Sequence, residues 1–464
     1  MINQKLEIKP GFFEFDKLQK LASHATNLFI ITHLGQLKQM QALICQQNLQ
    51  DNLLVVLYTY KNIQVPSDVQ EGIDESLFSQ VIFTKIPHGL QKDNIQKNIR
   101  LNFVYKKILS LSKFKTLYIN SFEGHYNIVL SLAKSAQLKL VLVEEGTATY
   151  KLKSGQFESF TPADQKITQA FLKQSFMETI GQSQIFKKAV KVKKTYQKNR
   201  NLSAAWQQAD ISYRDTKLLT QFGSQVGKFG KKVWNAPMVQ KSAVNLYAKA
   251  FPVMANKPFV DFDKVYASYP ELLVGDFGTS KIEPFFAYNQ FGDDDLKIAN
   301  EAIEQYKIGA DDVLFISQRY ALDLRLYMKE LDNLFRALSA SHRVLIKLHP
   351  KENDFILQMY QTMAMMSGGR IVVLDHCSKI PAEALLAVSS VKAVIGLTSS
   401  TLIYAPLMRR DIQVISIAKL LIERLAWYEE CKNGIAVLQQ HVEILERFDG
   451  IVFARNDEIG EKLC

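Results

Sequence analysis

Short apolar runs recur along the 464-residue chain, each parted from the next by a segment of helical spacing, and this happens in two separate stretches. In the first, runs at 27–32, 53–58, 80–84, 116–120 and 138–143 alternate with helical segments at 36–47, 93–111 and 126–136. In the second, runs at 265–268, 313–316, 344–348, 371–374, 391–397 and 412–417 alternate with segments at 293–306, 322–339, 354–366 and 402–408. Unbroken apolar strands divided by helices predict parallel sheets covered on both faces. The fold class expected is therefore α/β, with two Rossmann-like parallel-sheet domains facing a central cleft. The expected units are an N-terminal domain at 1–150, a helical basic insertion or interdomain region at 151–263, and a C-terminal domain at 264–464.

The middle region breaks the alternation and carries much of the chain's net charge of +11. Lys187, Lys188, Lys191, Lys193, Lys194, Lys198 and Arg200 follow one another without an intervening acid. Lys228, Lys231 and Lys232 stand beside Phe229, Val233 and Trp234. Such spacing suits a solvated helical face or contact with an anionic membrane surface or polyanion. No recognisable RNA or DNA module accompanies it, so nucleic acid is not the expected partner. The N-terminus has no charged-then-apolar leader, and no apolar run approaches the roughly 18 residues that span a bilayer. A cytoplasmic protein is expected, peripheral at the inner membrane face if the basic stretch binds there. Cys45, Cys377, Cys431 and Cys464 are too dispersed for a zinc site and read as plain thiols.

Chemistry concentrates where strands end, because parallel sheets bind ligands beyond their carboxyl edges. The strand at 138–143 runs into Glu144-Glu145-Gly146, and strand alternation sends the two carboxylates to opposite sides. Gly146 lets the chain turn and a substrate approach the backbone. His125, after the preceding strand, is an acceptor-side candidate or a polar loop residue. In the second unit one strand ends in Ser317-Gln318 and the next in His349-Pro350. Glu383 lies in the first turn of a helix that opens with Pro381, and Ser399-Ser400 joins a strand to a helix. A helix start bearing hydroxyls supplies N–H donors and a positive dipole end to a phosphate.

In their order and in their halves, Glu144-Glu145-Gly146, His349-Pro350 and Ser399-Ser400 resemble the D/E-D/E-G, HP and SS motifs of bacterial sialyltransferases of the GT-B type. The chain is most similar to the capsular polysialyltransferase family, over roughly 25–150 and 264–420. The resemblance implies an inverting glycosyltransferase that moves sialic acid or a related nonulosonic acid from a CMP-activated donor to a bacterial surface glycan, a capsular polysaccharide or lipooligosaccharide. Glu145 is the favoured base, with Glu144 in reserve. His349 is the acid toward the departing phosphate, since an ordinary imidazole pKa of roughly 6.5 allows it to carry a proton near neutrality. Ser399 and Ser400 would hold the charge that develops on CMP. Pro350, Ser317 and Gln318 fall on the same donor side, and Glu383 would accept from ribose hydroxyls or the cytosine amine.

No cofactor and no metal is expected. Asp261-Phe262-Asp263 and Asp293-Asp294-Asp295 match a D-x-D pattern that holds a divalent ion in other transferases, but the second reads better as the first turn of a helix. Two further readings stay open. One is a related transferase using CMP-Kdo or CDP-glycerol, and the other a non-enzymatic membrane- or polyanion-binding protein.

Overall fold

The computed structural model describes residues 7–8, 24–86, 95–151, 259–289, 291–318, 320–349, 352, 354–377 and 380–455. In the first half β1 (Glu7–Ile8), β2 (Asn27–Ile31), α1 (Leu34–Gln47), β3 (Asn52–Tyr58), α2 (Val65–Glu71), β4 (Gln80–Lys85), α3 (Ile95–Leu109), β5 (Thr116–Ile119), α4 (Tyr126–Ser135) and β6 (Lys139–Val143) follow in order. After residue 259 come β7 (Lys264–Ala267), β8 (Lys281–Pro284), α5 (Asp293–Tyr306), β9 (Asp312–Ile316), α6 (Leu324–Leu338), β10 (Arg343–Lys347), α7 (Asp354–Met366) and β11 (Ile371–Val373). The chain continues with α8 (Ala382–Val388), β12 (Ala393–Gly396), α9 (Ser400–Met408), β13 (Gln413–Ser416), α10 (Ala418–Leu425), α11 (Lys432–Leu445) and β14 (Ile451–Phe453).

These strands form two wholly parallel sheets, one of order β1-β4-β3-β2-β5-β6-β7-β8 and one of order β11-β10-β9-β12-β13-β14. From β2 in the first sheet and β9 in the second the chain starts near the middle, builds outward to one side and then returns to build the other, while β1 lies apart from this order at the edge beyond β4. The crossing places are β2/β5 and β9/β12, and such places are where open α/β sheets leave a crevice for ligands.

Alternate residues of one strand enter different cores. Leu28 and Ile30 of β2 join Leu314 and Val394 of the second sheet in a core that runs unbroken between the domains, while Phe29 and Ile31 pack under Leu37 and Met40 of α1. Val313 and Phe315 of β9 face Leu331 and Phe335 of α6 in a third core. Burial on both faces explains why β3, Asn-Leu-Leu-Val-Val-Leu-Tyr, has no polar alternation.

One expected boundary moves. The 264–464 unit was to begin with the strand at 265–268, but β7 pairs with β6 and β8 pairs with β7, so both complete the first sheet. The second sheet starts at β9. A parallel strand has no hairpin to name its neighbour, so the periodicity found the strand without its sheet. Most of the 151–263 region, including the Lys187 to Arg200 cluster, lies outside the described residues, as do Pro350 and Cys464.

Candidate active site

The acidic pair ends β6, and its two carboxylates point apart. Glu144 turns inward and is buried. Its Oε1 accepts from the Tyr404 hydroxyl at 2.6 Å, and its Oε2 accepts from the Tyr150 hydroxyl at 2.9 Å and from the Ser268 N–H. Burial pushes this carboxyl above its ordinary pKa, and the three donors act against that rise. Because Tyr404 belongs to α9 of the second domain, the Glu144 carboxylate ties the two domains together.

Glu145 turns the other way and stays partly exposed, with 26% of its side chain accessible. Its Oε1 lies 2.9 Å from His33 Nε2 and 2.7 Å from Gln36 Nε2. It borders a cavity of 330 Å³ above the carboxyl ends of β2, β3 and β5, whose wall includes Thr32, Tyr58, Asn62, His125 and Tyr126. His125 stands at the wall, with Nδ1 2.7 Å from the Tyr105 hydroxyl and its ring stacked 4.2 Å from Tyr126. Desolvation lowers its pKa to about 4, which keeps the imidazole neutral through the ordinary pH range.

Gly146 bridges the halves by contact. Its φ of +64° suits glycine, and a Cβ there would stand 2.7 Å from Ser400 Cβ. The end of β6 therefore rests directly on the start of α9. Ser399 caps that helix, its Oγ accepting from Thr401 N at 3.3 Å, whereas Ser400 Oγ has no hydrogen-bond partner among the described residues. Glu383 is buried behind this corner with the Thr401 hydroxyl as a partner, and burial raises its pKa.

The strand-end residues of the second sheet form a connected edge. The His349 N–H donates to Glu352 Oε2 at 3.0 Å, and Glu352 N–H donates back to the His349 carbonyl at 3.0 Å, which closes the turn after β10. The Ser317 hydroxyl is fully buried and donates to Glu352 Oε1, so it braces that turn. Gln318 Oε1 accepts from Thr398 N at 2.8 Å across the β9/β12 crevice. Lys347, buried beneath His349, donates to the Leu348 carbonyl at 3.0 Å, and desolvation lowers its pKa to about 8.

The sequence model of the alpha-2,8-polysialyltransferase family matches residues 27–418. The chain belongs to that family. It is a sialyltransferase-like glycosyltransferase with two parallel-sheet α/β domains. No curated protein matches it. Among solved structures it is similar to a 2,6-sialyltransferase of Vibrionaceae Photobacterium sp. JT-ISH-224, solved with donor product CMP and acceptor substrate lactose. That likeness has 12% identity, covers 92% of this chain and 78% of that one, and has a TM-score of 0.42. It is also similar to a UGT transferase from Siraitia grosvenorii in complex with UDP, at 12% identity, 91% of each chain and a TM-score of 0.40. A third likeness is UDP-GlcNAc 2-epimerase of Methanocaldococcus jannaschii, at 11% identity, 94% of this chain, 91% of that one and a TM-score of 0.43.

In this polysialyltransferase-family chain three of the four D-x-D carboxylates have protein partners. Asp261 pairs with Lys134 at 2.6 Å, Asp263 accepts from Leu140 N at 2.7 Å, and Asp295 pairs with Lys38 at 2.8 Å in the first turn of α5. Among the described residues no group of three or more His, Cys, Asp or Glu side chains is placed to hold a metal ion. Among them, too, no helix is long and apolar enough to cross a membrane. Sequence reasoning passed over His33, Gln36, Tyr404 and Glu352. His33 occupies the turn directly after β2 and so shared the strand-end signal that singled out the others; Tyr404 carried no such signal, since its partner lies 260 residues away.

Proposed function

We propose that the chain is an inverting transferase that moves sialic acid or a related nonulosonic acid from a CMP-activated donor to a bacterial surface glycan, with Glu145 as base. The contact of Gly146 with Ser400 supports this reading, because it brings the backbone next to Glu145, whose carboxylate borders the 330 Å³ cavity, against a helix N-terminus suited to phosphate. An acceptor hydroxyl gives its proton to Glu145 as its oxygen bonds the anomeric carbon. The bond from that carbon to the CMP phosphate oxygen breaks on the opposite face, through an oxocarbenium-like state. His349 donates to the leaving phosphate, and the Ser400 hydroxyl with the N–H groups opening α9 takes up its charge.

The test is incubation with CMP-sialic acid, CMP-Kdo and CDP-glycerol against a panel of glycan acceptors, each with and without EDTA. Transfer from CMP-sialic acid, undiminished by EDTA, is the expected result. Transfer from CDP-glycerol alone would overturn the donor assignment, and loss on chelation restored by magnesium would overturn the metal-free scheme. The Lys187 to Arg200 cluster we assign to an anionic membrane face on its charge, at about 1 kcal/mol for each lysine near the surface. Sedimentation with anionic vesicles should fall when Lys187, Lys188, Lys191, Lys193 and Lys194 become Gln. Equal sedimentation of both proteins would remove the assignment.

A further inference from the structure

We infer that His33 is a positioning residue for the reaction, holding the Glu145 carboxylate through one oxygen so that the other is presented to the acceptor hydroxyl. The inference rests on Glu145 being the base. Its geometry starts at α1, where His33 is the N-cap and its Nδ1 accepts from the Gln36 N–H at 3.4 Å. A neutral imidazole whose Nδ1 accepts must carry its proton on Nε2. That Nε2–H then has Glu145 Oε1 before it at 2.9 Å.

Gln36 supplies the second donor, and its amide has one consistent orientation. Its Oε1 accepts from Thr32 N at 2.7 Å and from Thr32 Oγ1 at 3.1 Å, which leaves Nε2 to donate to Glu145 Oε1 at 2.7 Å. Both donors converge on one carboxylate oxygen. Glu145 Oε2 has no hydrogen-bond partner among the described residues, and Glu145 borders the cavity. Gly35 completes the arrangement. A Cβ at this position would lie 3.3 Å from His33 Cε1 and Nδ1, so the absence of a side chain leaves room for the ring.

A base acts within hydrogen-bond reach of the proton it removes, and a carboxylate free to rotate spends part of its time elsewhere. Two donors on Oε1 remove that freedom without occupying the lone pairs of Oε2. The imidazole itself touches no reacting atom.

The experiment is a double-mutant cycle on turnover with CMP-sialic acid and a glycan acceptor, using His33→Phe, Glu145→Gln and the double variant, with His33→Gln as a variant that keeps an N–H donor. His33→Phe should lower kcat roughly tenfold, the worth of one hydrogen bond to a charged group, with KM for CMP-sialic acid unchanged. His33→Gln should recover most of that loss. In the Glu145→Gln background, His33→Phe should have no further effect. Gly35→Ala, which leaves both side chains in place and crowds the ring, should give an intermediate loss in kcat.

If His33→Phe costs the same factor with Glu145 present or replaced, His33 serves the fold alone and the positioning role is wrong. A His33→Gln variant as slow as His33→Phe would also overturn it. If Glu145→Gln turns over like the native chain, the failure belongs to the base assignment. Thermal unfolding of every variant separates loss of fold from loss of rate.

Discussion

Glu145→Gln should lower turnover by roughly a hundredfold or more, the usual worth of a positioned general base, while CMP binding stays as in the native chain. The amide fills the same volume and can still accept from His33 and Gln36, so the wall of the cavity is kept. What it loses is the ability to take a proton. CMP affinity measured by calorimetry should not change, because the groups assigned to phosphate stand on α9 and after β10, in the other sheet. Native-like turnover in Glu145→Gln would end the assignment, and weakened CMP binding would show that the carboxylate supports the donor side instead.

Glu144→Ala should have its large effect on stability. Removing the carboxylate deprives the Tyr404 hydroxyl, the Tyr150 hydroxyl and the Ser268 N–H of their acceptor in a buried place. Each buried donor left unmet costs about 1–3 kcal/mol, so the variant should lose several kcal/mol, read as a fall of many degrees in the thermal midpoint. Glu144→Gln keeps an acceptor oxygen and should lose much less. Its turnover should stay within roughly tenfold of native, since on this reading Glu144 takes no proton in the reaction. An alanine variant as stable as the native chain would contradict the inter-domain tie. Abolished turnover in a stable Glu144→Gln, beside an active Glu145→Gln, would exchange the roles of the two.

The α/β class was legible because covered parallel strands are apolar through their middles, as Leu53 to Leu57 of β3 and Val344 to Ile346 of β10 are. The assignment of β7 and β8 was not legible, since a parallel strand is joined to its neighbour by a distant crossover. At the site, strand alternation foretold that Glu144 and Glu145 would diverge. It did not foretell which would be buried, because that depends on Tyr404 and Tyr150 arriving from elsewhere. Ser317 shows the opposite limit. Its place at a strand end made it a donor-side candidate, but its hydroxyl is turned toward Glu352 and Tyr360. The backbone position was readable and the direction of the side chain was not.

The pairing of β6 with β7 has a consequence for how such a chain can diversify. These neighbouring parallel strands are joined through residues 144–263, and the described ends of that connection both return to one place: Lys151 lies 3.6 Å from Glu123, and Phe259 N–H donates to the Phe122 carbonyl at 2.9 Å. For a flexible connection the closure entropy grows by only about 0.6 kcal/mol for each doubling of length, so the place where the ends are held matters more than the distance between them along the chain. The two anchors therefore act as a hinge post for the whole β6–β7 crossover: whatever enters the connection must leave Lys151 and Phe259 side by side if β6 and β7 are to stay in register.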